Sequence, residues 1–263
     1  MQISFFKYQG TGNDFVMIDN RSAGYEQQLG AADVARICRR RMGVGADGLI
    51  LLSPSDKGDF RMIYYNADGN ESSMCGNGGR CIVAFAHQLG ITGERCVFDA
   101  VDGLHEAEYA VGGQVRLRMI SPHGYCEIGP GAKWIDTGSP HYVAFSQQDL
   151  SGMDVFGLGR AIRYSPAFAP GGTNVNFVNV LNKGQIRVRT YERGVEDETL
   201  SCGTGVTACA YLYLQDMAPD LDAVSVQTEG GDLRVEVLNR STSTEEVWLC
   251  GPAIRVFAGN IEI

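Results

Sequence analysis

The sequence predicts an α+β fold, richer in strands than in helices, that consists of two similar lobes. Short apolar runs that end at turn residues outnumber the segments with helical periodicity. Motifs that contain glycine and cysteine recur after about half of the 263 residues. The 34 glycines are about 13% of the chain, against a usual share of about 7%. They lie in separate clusters, which indicates many tight turns rather than a disordered tract.

Eight segments have the pattern of β-strands. Alternation of apolar and basic residues, as in Val115–Met119, is typical of a strand with one buried face. Apolar runs bounded by turn residues indicate strands that are buried more deeply. The predicted strands are Phe15–Ile18, Leu49–Leu52, Arg61–Tyr65, Val115–Met119, Ile186–Tyr191, Leu233–Leu238, Val247–Leu249 and Ile254–Phe257.

Helical periodicity predicts three helices, over Ala31–Arg41, Gly78–Leu89 and Val206–Gln215. The second carries one apolar stripe, and a glycine follows it as a stop signal. The third is apolar almost all round, which is typical of a helix enclosed by a sheet or barrel. The last two helices each follow a Cys-Gly-x-Gly turn, which begins at Cys75 in one case and at Cys202 in the other.

The spacing of these motifs indicates an internal duplication. Cys75 and Cys202 lie 127 positions apart, and two Thr-Gly motifs, with their glycines at Gly12 and Gly138, lie 126 apart. Within each half, the interval from the glycine to the cysteine is 63 or 64 residues. Four anchors in register over half of the chain favour two lobes of common origin over a chance match of short motifs.

The repeat predicts a domain boundary near the middle of the chain, at the Pro/Gly-rich stretch Ser121–Gly131. We expect an N-terminal lobe over residues 1–120, which carries the first cysteine motif, and a C-terminal lobe over residues 121–251, which carries the second. Residues 252–263 are expected to form a strand that joins the N-terminal lobe.

The balance of charge argues against nucleic acid as a partner. There are 22 Lys and Arg residues against 31 Asp and Glu, a net charge of −9, whereas binding to a phosphate backbone needs clustered basic residues. No stretch approaches the roughly 20 apolar residues of a membrane span, and Met1–Gly10 lacks the order of a signal peptide. We therefore expect a cytoplasmic protein with no nucleic-acid or membrane partner, whose eight cysteines are kept reduced.

A cysteine at a helix N-terminus is suited to acid/base chemistry. The first N–H groups of a helix have no internal partner, and the positive end of the helix dipole lies there. Both effects stabilise a thiolate and lower the pKa of such a thiol below its ordinary value of about 8.5. Two thiols on opposite faces of a tetrahedral carbon can invert it, since one removes a proton while the other donates one. The flanking glycines allow backbone N–H groups to bind a carboxylate and stabilise the carbanion, without a metal or pyridoxal phosphate.

The other cysteines are predicted to be small buried hydrophobes, namely Cys38, Cys96, Cys126 and Cys250, together with Cys81 and Cys209 on the apolar helices. A zinc site is weakly supported because the chain has no Cys-x-x-Cys and its four histidines, at 87, 105, 123 and 141, stand singly. A phosphate-binding loop is also weakly supported, since Gly76–Arg80 lacks the Gly-Lys-Ser/Thr ending.

Together these motifs resemble the diaminopimelate epimerase family, whose members use two cysteines and no cofactor. The resemblance covers almost the whole chain. It rests on eight segments in order: Gly10–Phe15, Gly43–Gly48, Tyr65–Gly69, Met74–Cys81, Gly138–His141, Asn174–Phe177, Tyr191–Gly194 and Ser201–Gly205. Three departures stand out, namely Gly48 where the family usually has Gln, Ser139 where it usually has Asn, and one extra residue between Glu192 and Cys202.

The resemblance implies a fold, a reaction and a set of site residues. The fold is two mostly antiparallel, barrel-like sheets, each around a central helix, with the site in the cleft between them. The reaction is the epimerisation of LL-2,6-diaminopimelate to the meso form, a step toward lysine and peptidoglycan precursors, carried out by a homodimer that closes on its substrate.

In the implied site, Cys75 and Cys202 are the acid/base residues. Asn13, Asn66, Asn174, Glu192 and Arg193 hold the distal amino-acid end of the substrate, and Gly76, Asn77, Gly203 and Thr204 bind the reacting carboxylate. His141 and Glu192 occupy positions at which the family tunes the pKa of its cysteines.

Other functions remain open on the residues alone. A related racemase could act on proline, hydroxyproline or histidine with the same two thiols, although Glu192-Arg193 favours a substrate with a second charged end. A silent binding module on the same scaffold would have no need for paired thiols. A thiol-disulfide oxidoreductase lacks its Cys-x-x-Cys motif.

Overall fold

A computed structural model describes residues 1–72, 74–240 and 242–263. Within these ranges the chain forms seventeen strands: β1 (Gln2–Gly10), β2 (Asn13–Asp19), β3 (Gly48–Ser53), β4 (Phe60–Asn66), β5 (Arg95–Ala100), β6 (Gly103–Ala110), β7 (Gln114–Met119), β8 (His123–Gly129), β9 (Ala132–Asp136), β10 (Pro140–Phe145), β11 (Asn174–Asn182), β12 (Gln185–Glu192), β13 (Asp197–Thr199), β14 (Ala223–Thr228), β15 (Gly231–Leu238), β16 (Glu246–Pro252) and β17 (Ile254–Glu262). The helices are α1 (Tyr25–Gln28), α2 (Ala31–Cys38), α3 (Gly76–Gln88), α4 (Val155–Arg163) and α5 (Gly203–Asp216), with short 3₁₀ turns at Leu150–Gly152 and Pro166–Phe168. In this described part, no helix is long and apolar enough to cross a bilayer.

The chain divides into two compact units. The first unit combines Met1–Leu117 with Gly251–Ile263, and the second is Arg118–Cys250. The last strand of the chain therefore belongs to the first unit, where it pairs antiparallel with β1 along almost its whole length.

The sheet of the first unit has the strand order β17-β1-β2-β3-β4-β5-β6-β7. The pairs β2–β3 and β4–β5 are parallel and the others antiparallel. A parallel pair needs a crossover connection, and α2 and α3 supply the two crossovers. Helix α3 packs against β1, β2, β3, β4, β6 and β17, and it is buried from Gly76 to Ala86. Helix α2 contributes Val34 and Ile37 to a buried hydrophobic cluster that also contains Ile3 and Val16.

The second unit repeats this arrangement. Its sheet has the order β8-β9-β10-β11-β12-β14-β15-β16, with β13 added to β12. Parallel pairs occur at the same two places, β10–β11 and β12–β14. Their crossovers contain α4 and α5. Helix α4 packs against β11, β12 and β13, and α5 packs against β10, β11, β12, β14 and β15. The same order and the same directions in both units confirm the predicted duplication.

The predicted elements are confirmed, with shifted ends. All eight predicted strands and all three predicted helices are present. Helices α3 and α5 begin two or three residues before the predicted starts, because the glycines of the Cys-Gly-x-Gly turns form the first helical turn. Helix α2 stops at Cys38 rather than Arg41, because the N–H groups of Gly45 and Ala46 return to the last carbonyls, those of Ile37 and Cys38.

The burial prediction is confirmed for Cys38, Cys81, Cys96 and Cys209, while Cys250 is half-buried. For Cys126 it is wrong, because every residue of β8 is exposed. Burial raises the pKa of Cys38, Cys81 and Cys96 to about 12, which keeps these thiols protonated. No disulfide joins the eight cysteines, all of which lie in the described ranges.

Candidate active site

Cys75 is the N-cap residue of α3. Its extended backbone, with φ −104° and ψ 125°, leads the chain into the helix, and its carbonyl accepts the N–H of Gly79 at 2.7 Å. Gly76 and Asn77, which form the first turn, are buried. The N–H groups of a first turn cannot bond within the helix, and with the helix dipole they attract negative charge. The Cys75 side chain thus lies where a carboxylate can bind.

Asn13, at the start of β2, lies beside Cys75. Asn13 Oδ1 is 3.5 Å from Cys75 Sγ and 3.4 Å from Asn77 Nδ2. On its other side, Asn13 Nδ2 donates to Asp47 Oδ2 at 2.7 Å. Arg80, which is fully buried in α3, donates to Asn77 Oδ1 at 3.0 Å. These side chains form a continuous polar relay from Arg80 through Asn77 and Asn13 to Asp47.

A cluster of ion pairs supports the outer end of this relay. Arg40 donates to both carboxylate oxygens of Asp14 and to Asp47 Oδ1, at 2.7 to 3.1 Å. Lys7, buried in β1, pairs with Asp14 at 2.7 Å and also donates to the carbonyl of Gly45. Burial opposes ionisation of Asp14, but hydrogen bonds from Arg40 and Lys7 outweigh it and hold the pKa of that carboxyl below its usual value. The cluster fixes the loop that carries Asp47 against β1 and β2.

Gly48 and Asn66 face each other across β3 and β4. A Cβ at Gly48 would lie 2.6 Å from the carbonyl oxygen of Tyr65 and would also press on the Tyr64 ring. Tyr64 and Tyr65 therefore leave no room for a side chain at this position. Asn66 is half-buried, and its backbone N–H and carbonyl close the turn to Gly69 and Asn70.

Cys202 is the N-cap residue of α5, and its geometry matches that of Cys75. Its φ is −110° and its ψ 112°, and its carbonyl accepts the N–H of Val206 at 2.8 Å. Its side chain is buried, and Sγ lies 3.5 Å from Thr204 Oγ1. The carbonyl of Thr204 accepts the Thr137 hydroxyl at 3.0 Å, which ties the first turn of α5 to the end of β9.

His141 lies beneath the first turn of α5 and is fully buried. Its Nδ1 is 3.2 Å from Asn176 Nδ2, and Asn176 Oδ1 accepts the Thr190 hydroxyl at 2.9 Å. Nδ1 is therefore the acceptor and Nε2 carries the proton. Nε2 is buried and has no hydrogen-bond partner among the described residues. Burial, assisted by the charge of Arg193, lowers the pKa of His141 to about 3, so the imidazole is neutral near pH 7.

Asn174, Ser139 and Arg193 form a second polar group in this unit. Asn174 Nδ2 donates to Ser139 Oγ and to the carbonyl of Pro140, both at 2.9 Å, while its Oδ1 accepts the backbone N–H of Arg193 at 2.9 Å. The Arg193 guanidinium reaches Ser139 Oγ at 3.5 Å. Glu192, the last residue of β12, accepts the Thr199 hydroxyl at 2.9 Å.

Equivalent positions of the repeat carry the two half-sites. Phe15 pairs with Gly48 between β2 and β3, and His141 pairs with Asn174 between β10 and β11. The same offset of 126 residues relates Asn13 to Ser139, Gly48 to Asn174 and Asn66 to Glu192. The chemistry at these positions differs: the second unit carries the charged pair Glu192-Arg193 where the first carries Asn66-Ala67.

The structure brings most of the predicted residues together within each unit. In the first unit Cys75, Gly76, Asn77 and Asn13 are adjacent, while Asn66 is the last residue of β4. In the second unit Cys202, Gly203 and Thr204 form one group, and Asn174 and Arg193 another. Five further residues hold these side chains and were not predicted from the sequence, namely Asp47, Arg80, Thr137, Asn176 and Thr190. Asp47, Arg80 and Asn176 lie inside segments that resemble the family, which was the available signal for them.

The chain matches a known family along nearly its whole length. The model of the family described as Diaminopimelate epimerase matches residues 5–122 and 133–256. The chain belongs to the diaminopimelate epimerase family. A diaminopimelate epimerase of Flavobacterium psychrophilum is 44% identical to it, over 98% of this chain and 100% of that protein. One of Chlorobaculum tepidum is 42% identical, over 97% and 99%. The resemblance inferred from the motifs is confirmed.

A solved structure supports the fold of this family member. The PhzF-family phenazine biosynthesis protein of Bacillus anthracis superposes with a TM-score of 0.75 at 14% identity, and the match covers 100% of both chains. At that identity the likeness shows the fold alone. It confirms the predicted α+β class.

Proposed function

We propose that this chain is an isomerase that converts LL-2,6-diaminopimelate to meso-diaminopimelate with Cys75 and Cys202 as its two acid/base residues. Family membership over nearly the whole chain supports the reaction. The observation that carries the assignment of residues is the matched pair of N-cap cysteines, each opening the central helix of its unit. In this proposal, the N-terminal lobe of residues 1–120, with 252–263, supplies one thiol and the C-terminal lobe of residues 121–251 the other.

The proposed reaction moves protons only. One sulfur, as the thiolate, takes the α-proton of the substrate and becomes a thiol; the other, as a thiol, gives its proton to the opposite face and becomes the thiolate. No bond forms between sulfur and carbon, and the configuration at one stereocentre is inverted. The α-C–H is weakly acidic, so charge that develops on the carboxylate must be stabilised. The first-turn N–H groups at Gly76, Asn77, Gly203 and Thr204 are suited to that task.

The distal end of the substrate is proposed to bind chiefly at Glu192, Arg193 and Asn174. Diaminopimelate carries a second ammonium and a second carboxylate. A carboxylate such as Glu192 pairs with the ammonium, and a guanidinium such as Arg193 can bind the carboxylate with two hydrogen bonds. Ser139 Oγ and the carbonyl of Gly171 contact the Arg193 guanidinium, while Asn174 accepts the backbone N–H of Arg193 and donates to Ser139. Asn13 and Asn66 complete the proposed set from the first unit.

Proton exchange in deuterium oxide tests the reaction and the substrate together. The reduced protein is incubated with LL-diaminopimelate, and in parallel with proline, hydroxyproline and histidine, while the α-proton signal is followed by NMR. The expected result is loss of the signal and appearance of the meso product with diaminopimelate alone. Exchange on another amino acid would reassign the substrate and keep the two-thiol chemistry. The absence of exchange on every substrate, with both thiols reduced, would overturn the proposal and favour a binding module.

Substitution of the two thiols tests their roles. Cys75→Ala and Cys202→Ala are each expected to lower turnover by about 10²- to 10⁴-fold, the usual contribution of a general acid or base. Cys126→Ala, at an exposed position of β8, is the matched control and is expected to keep full activity. Circular dichroism of all three variants checks the fold. Near-normal turnover by either active-site variant would exclude the two-base assignment.

We propose further that the enzyme acts in the cytoplasm as a homodimer and supplies meso-diaminopimelate for lysine and peptidoglycan-precursor synthesis. A reducing compartment suits a reaction that needs one thiol and one thiolate at all times. The net charge of −9 is compatible with a small zwitterionic substrate.

A further inference from the structure

The two ends of the polar relay in the first unit have fixed hydrogen-bonding roles. Asp47 is a carboxylate, which only accepts, and Arg80 is a guanidinium, which only donates. The side-chain amides of Asn13 and Asn77 lie between them, linked in series at 2.7, 3.4 and 3.0 Å. Each amide has one accepting and one donating end, so the end groups determine the orientation of both.

The orientation of Asn13 follows directly. Its NH₂ group must face Asp47, because the carboxylate has no proton to donate. Its Oδ1 then faces Asn77 Nδ2, and the same oxygen is the atom 3.5 Å from Cys75 Sγ. An amide oxygen accepts a hydrogen bond from a thiol but repels a thiolate. The relay therefore offers Cys75 an acceptor and not a donor.

We propose that Asp47 is a positioning residue that acts through Asn13: it holds an accepting oxygen against Cys75 and so keeps the proton on that sulfur in the resting enzyme. This role of Asp47 matters for catalysis only if the proposed two-thiol reaction takes place. That reaction begins with one thiol and one thiolate, so a protonated Cys75 leaves Cys202 as the resting base. The hydroxyl of Thr204, 3.5 Å from Cys202 Sγ, can donate to a thiolate, which agrees with this division.

Several charged and titratable groups on neighbouring elements surround the relay. They are Arg80 and Cys81 of α3, Lys7 of β1, Asp14 of β2, and Arg40 and Asp47 of the loop between α2 and β3. Burial keeps the pKa of Cys81 at about 12, and ion pairs keep the pKa of Asp14 low. Neither group changes charge between pH 6 and 9, so neither affects the pH dependence of Cys75 alkylation over that range.

Thiol alkylation measures the proton on Cys75 without any substrate. The rate of modification by iodoacetamide is followed from pH 6 to 9 by mass spectrometry of the Cys75 peptide, with the Cys202 peptide as internal reference. Asp47→Ala releases Asn13, whose NH₂ group can then turn toward the sulfur and stabilise the thiolate. We expect Cys75 in this variant to react about five- to tenfold faster below its midpoint, the effect of one hydrogen bond changing its preference. Asp19→Ala removes another aspartate next to an arginine, outside the relay, and is expected to change nothing.

A double substitution separates action through Asn13 from a direct effect of charge. Loss of the Asp47 charge could by itself favour the thiolate, and that effect would persist in any background. If Asp47 acts through Asn13, Asp47→Ala accelerates alkylation in the wild-type background but adds nothing to Asn13→Ala. An equal acceleration in both backgrounds, or none in either, would overturn the proposal.

Two further outcomes need a separate interpretation, namely an Asp47→Ala variant that does not fold and an epimerase reaction that does not occur. If Asp47→Ala does not fold, Asn13→Ala alone decides, because it removes the acceptor and leaves the Arg40–Asp14 ion pair in place: faster alkylation supports the proposal and an unchanged rate overturns it. If the proposed epimerase reaction does not occur, the exchange experiment in deuterium oxide shows no loss of the α-proton signal. The alkylation profile would then still report whether Asp47 holds the Cys75 proton.

Discussion

His141 shows how burial limits what a side chain can contribute to the site. Because burial and the Arg193 charge lower its pKa to about 3, the imidazole carries no charge between pH 5 and 8. Any influence on Cys202 therefore acts through packing and hydrogen bonding, not through a titrating cation. The family-based expectation that His141 tunes the pKa of a cysteine stays a prediction. In this chain a neutral imidazole would have to exert that effect.

The buried imidazole has a consequence for stability. In the unfolded chain a histidine has an ordinary pKa near 6.5, so between pH 6.5 and 3 the unfolded state binds a proton that the folded state does not. The stabilisation is complete above pH 6.5 and is lost as the pH falls. Between pH 7 and 5 we expect the free energy of unfolding to fall by about 2 kcal/mol more in the wild type than in His141→Gln.

Urea denaturation at the two pH values measures this difference. His123→Gln, at an exposed position of β8, is the control and should follow the wild type. An equal loss of stability in wild type and His141→Gln would show that His141 is protonated in the folded protein.

At the scale of elements, the close contact between α5 and β11 depends on one glycine. A Cβ at Gly205 would collide with Asn176 Oδ1 and lie 3.3 Å from His141 Cε1. We expect Gly205→Ala to displace the first turn of α5, which carries Cys202, and to lower stability by about 1–3 kcal/mol, as overpacking of a core does. Turnover should fall at the same time.

Thermal unfolding and turnover of Gly205→Ala, compared with Gly152→Ala, test this requirement. Gly152 lies in a 3₁₀ turn, where an added Cβ meets no atom within 4 Å, so that variant should resemble the wild type. A stable and fully active Gly205→Ala would mean that α5 can move without disturbing Cys202.

The elements that the sequence predicted have strong local patterns, and two of the missed ones, β8 and α4, lack such a pattern. Strand β8 is exposed along both faces and shows no alternation. Helix α4 contains Gly157 and Gly159, which weaken helical propensity, and a Cβ at Gly159 would collide with Tyr191. Its position was nevertheless encoded in the repeat, because α2 shifted by 126 residues falls at 157–164, close to the observed Val155–Arg163.

Prediction of the site was limited in the same way. The Cys-Gly-x-Gly motifs are local, and they identified both N-cap cysteines. The partner of Asn13 is Asp47, 34 positions away on another element, and their contact follows only from the parallel pairing of β2 with β3. A single sequence contains no periodic signal for such a pairing.

At the scale of the whole molecule, the strand order makes the first unit discontinuous in sequence. Strand β17 returns from the end of the chain to pair with β1 from Gln2 to Gln9, and the equivalent place in the second unit is filled by β8, which directly precedes its partner β9. The equivalent strand therefore follows the rest of the first unit in sequence but precedes the rest of the second unit. Stability of the first unit should depend on its last ten residues.

Removal of residues 254–263 is therefore expected to destabilise the first unit selectively. The truncation deletes the antiparallel ladder along β1 and the edge contact between the rings of Phe5 and Phe257, whose centroids lie 5.8 Å apart. Hydrogen–deuterium exchange should show loss of protection in β1, while the β14–β15 hairpin of the second unit keeps its protection. Val256→Thr, at an exposed position of β17, is the control and should leave both regions protected. Unchanged protection of β1 in the truncated chain would mean that the first unit folds without its returning strand.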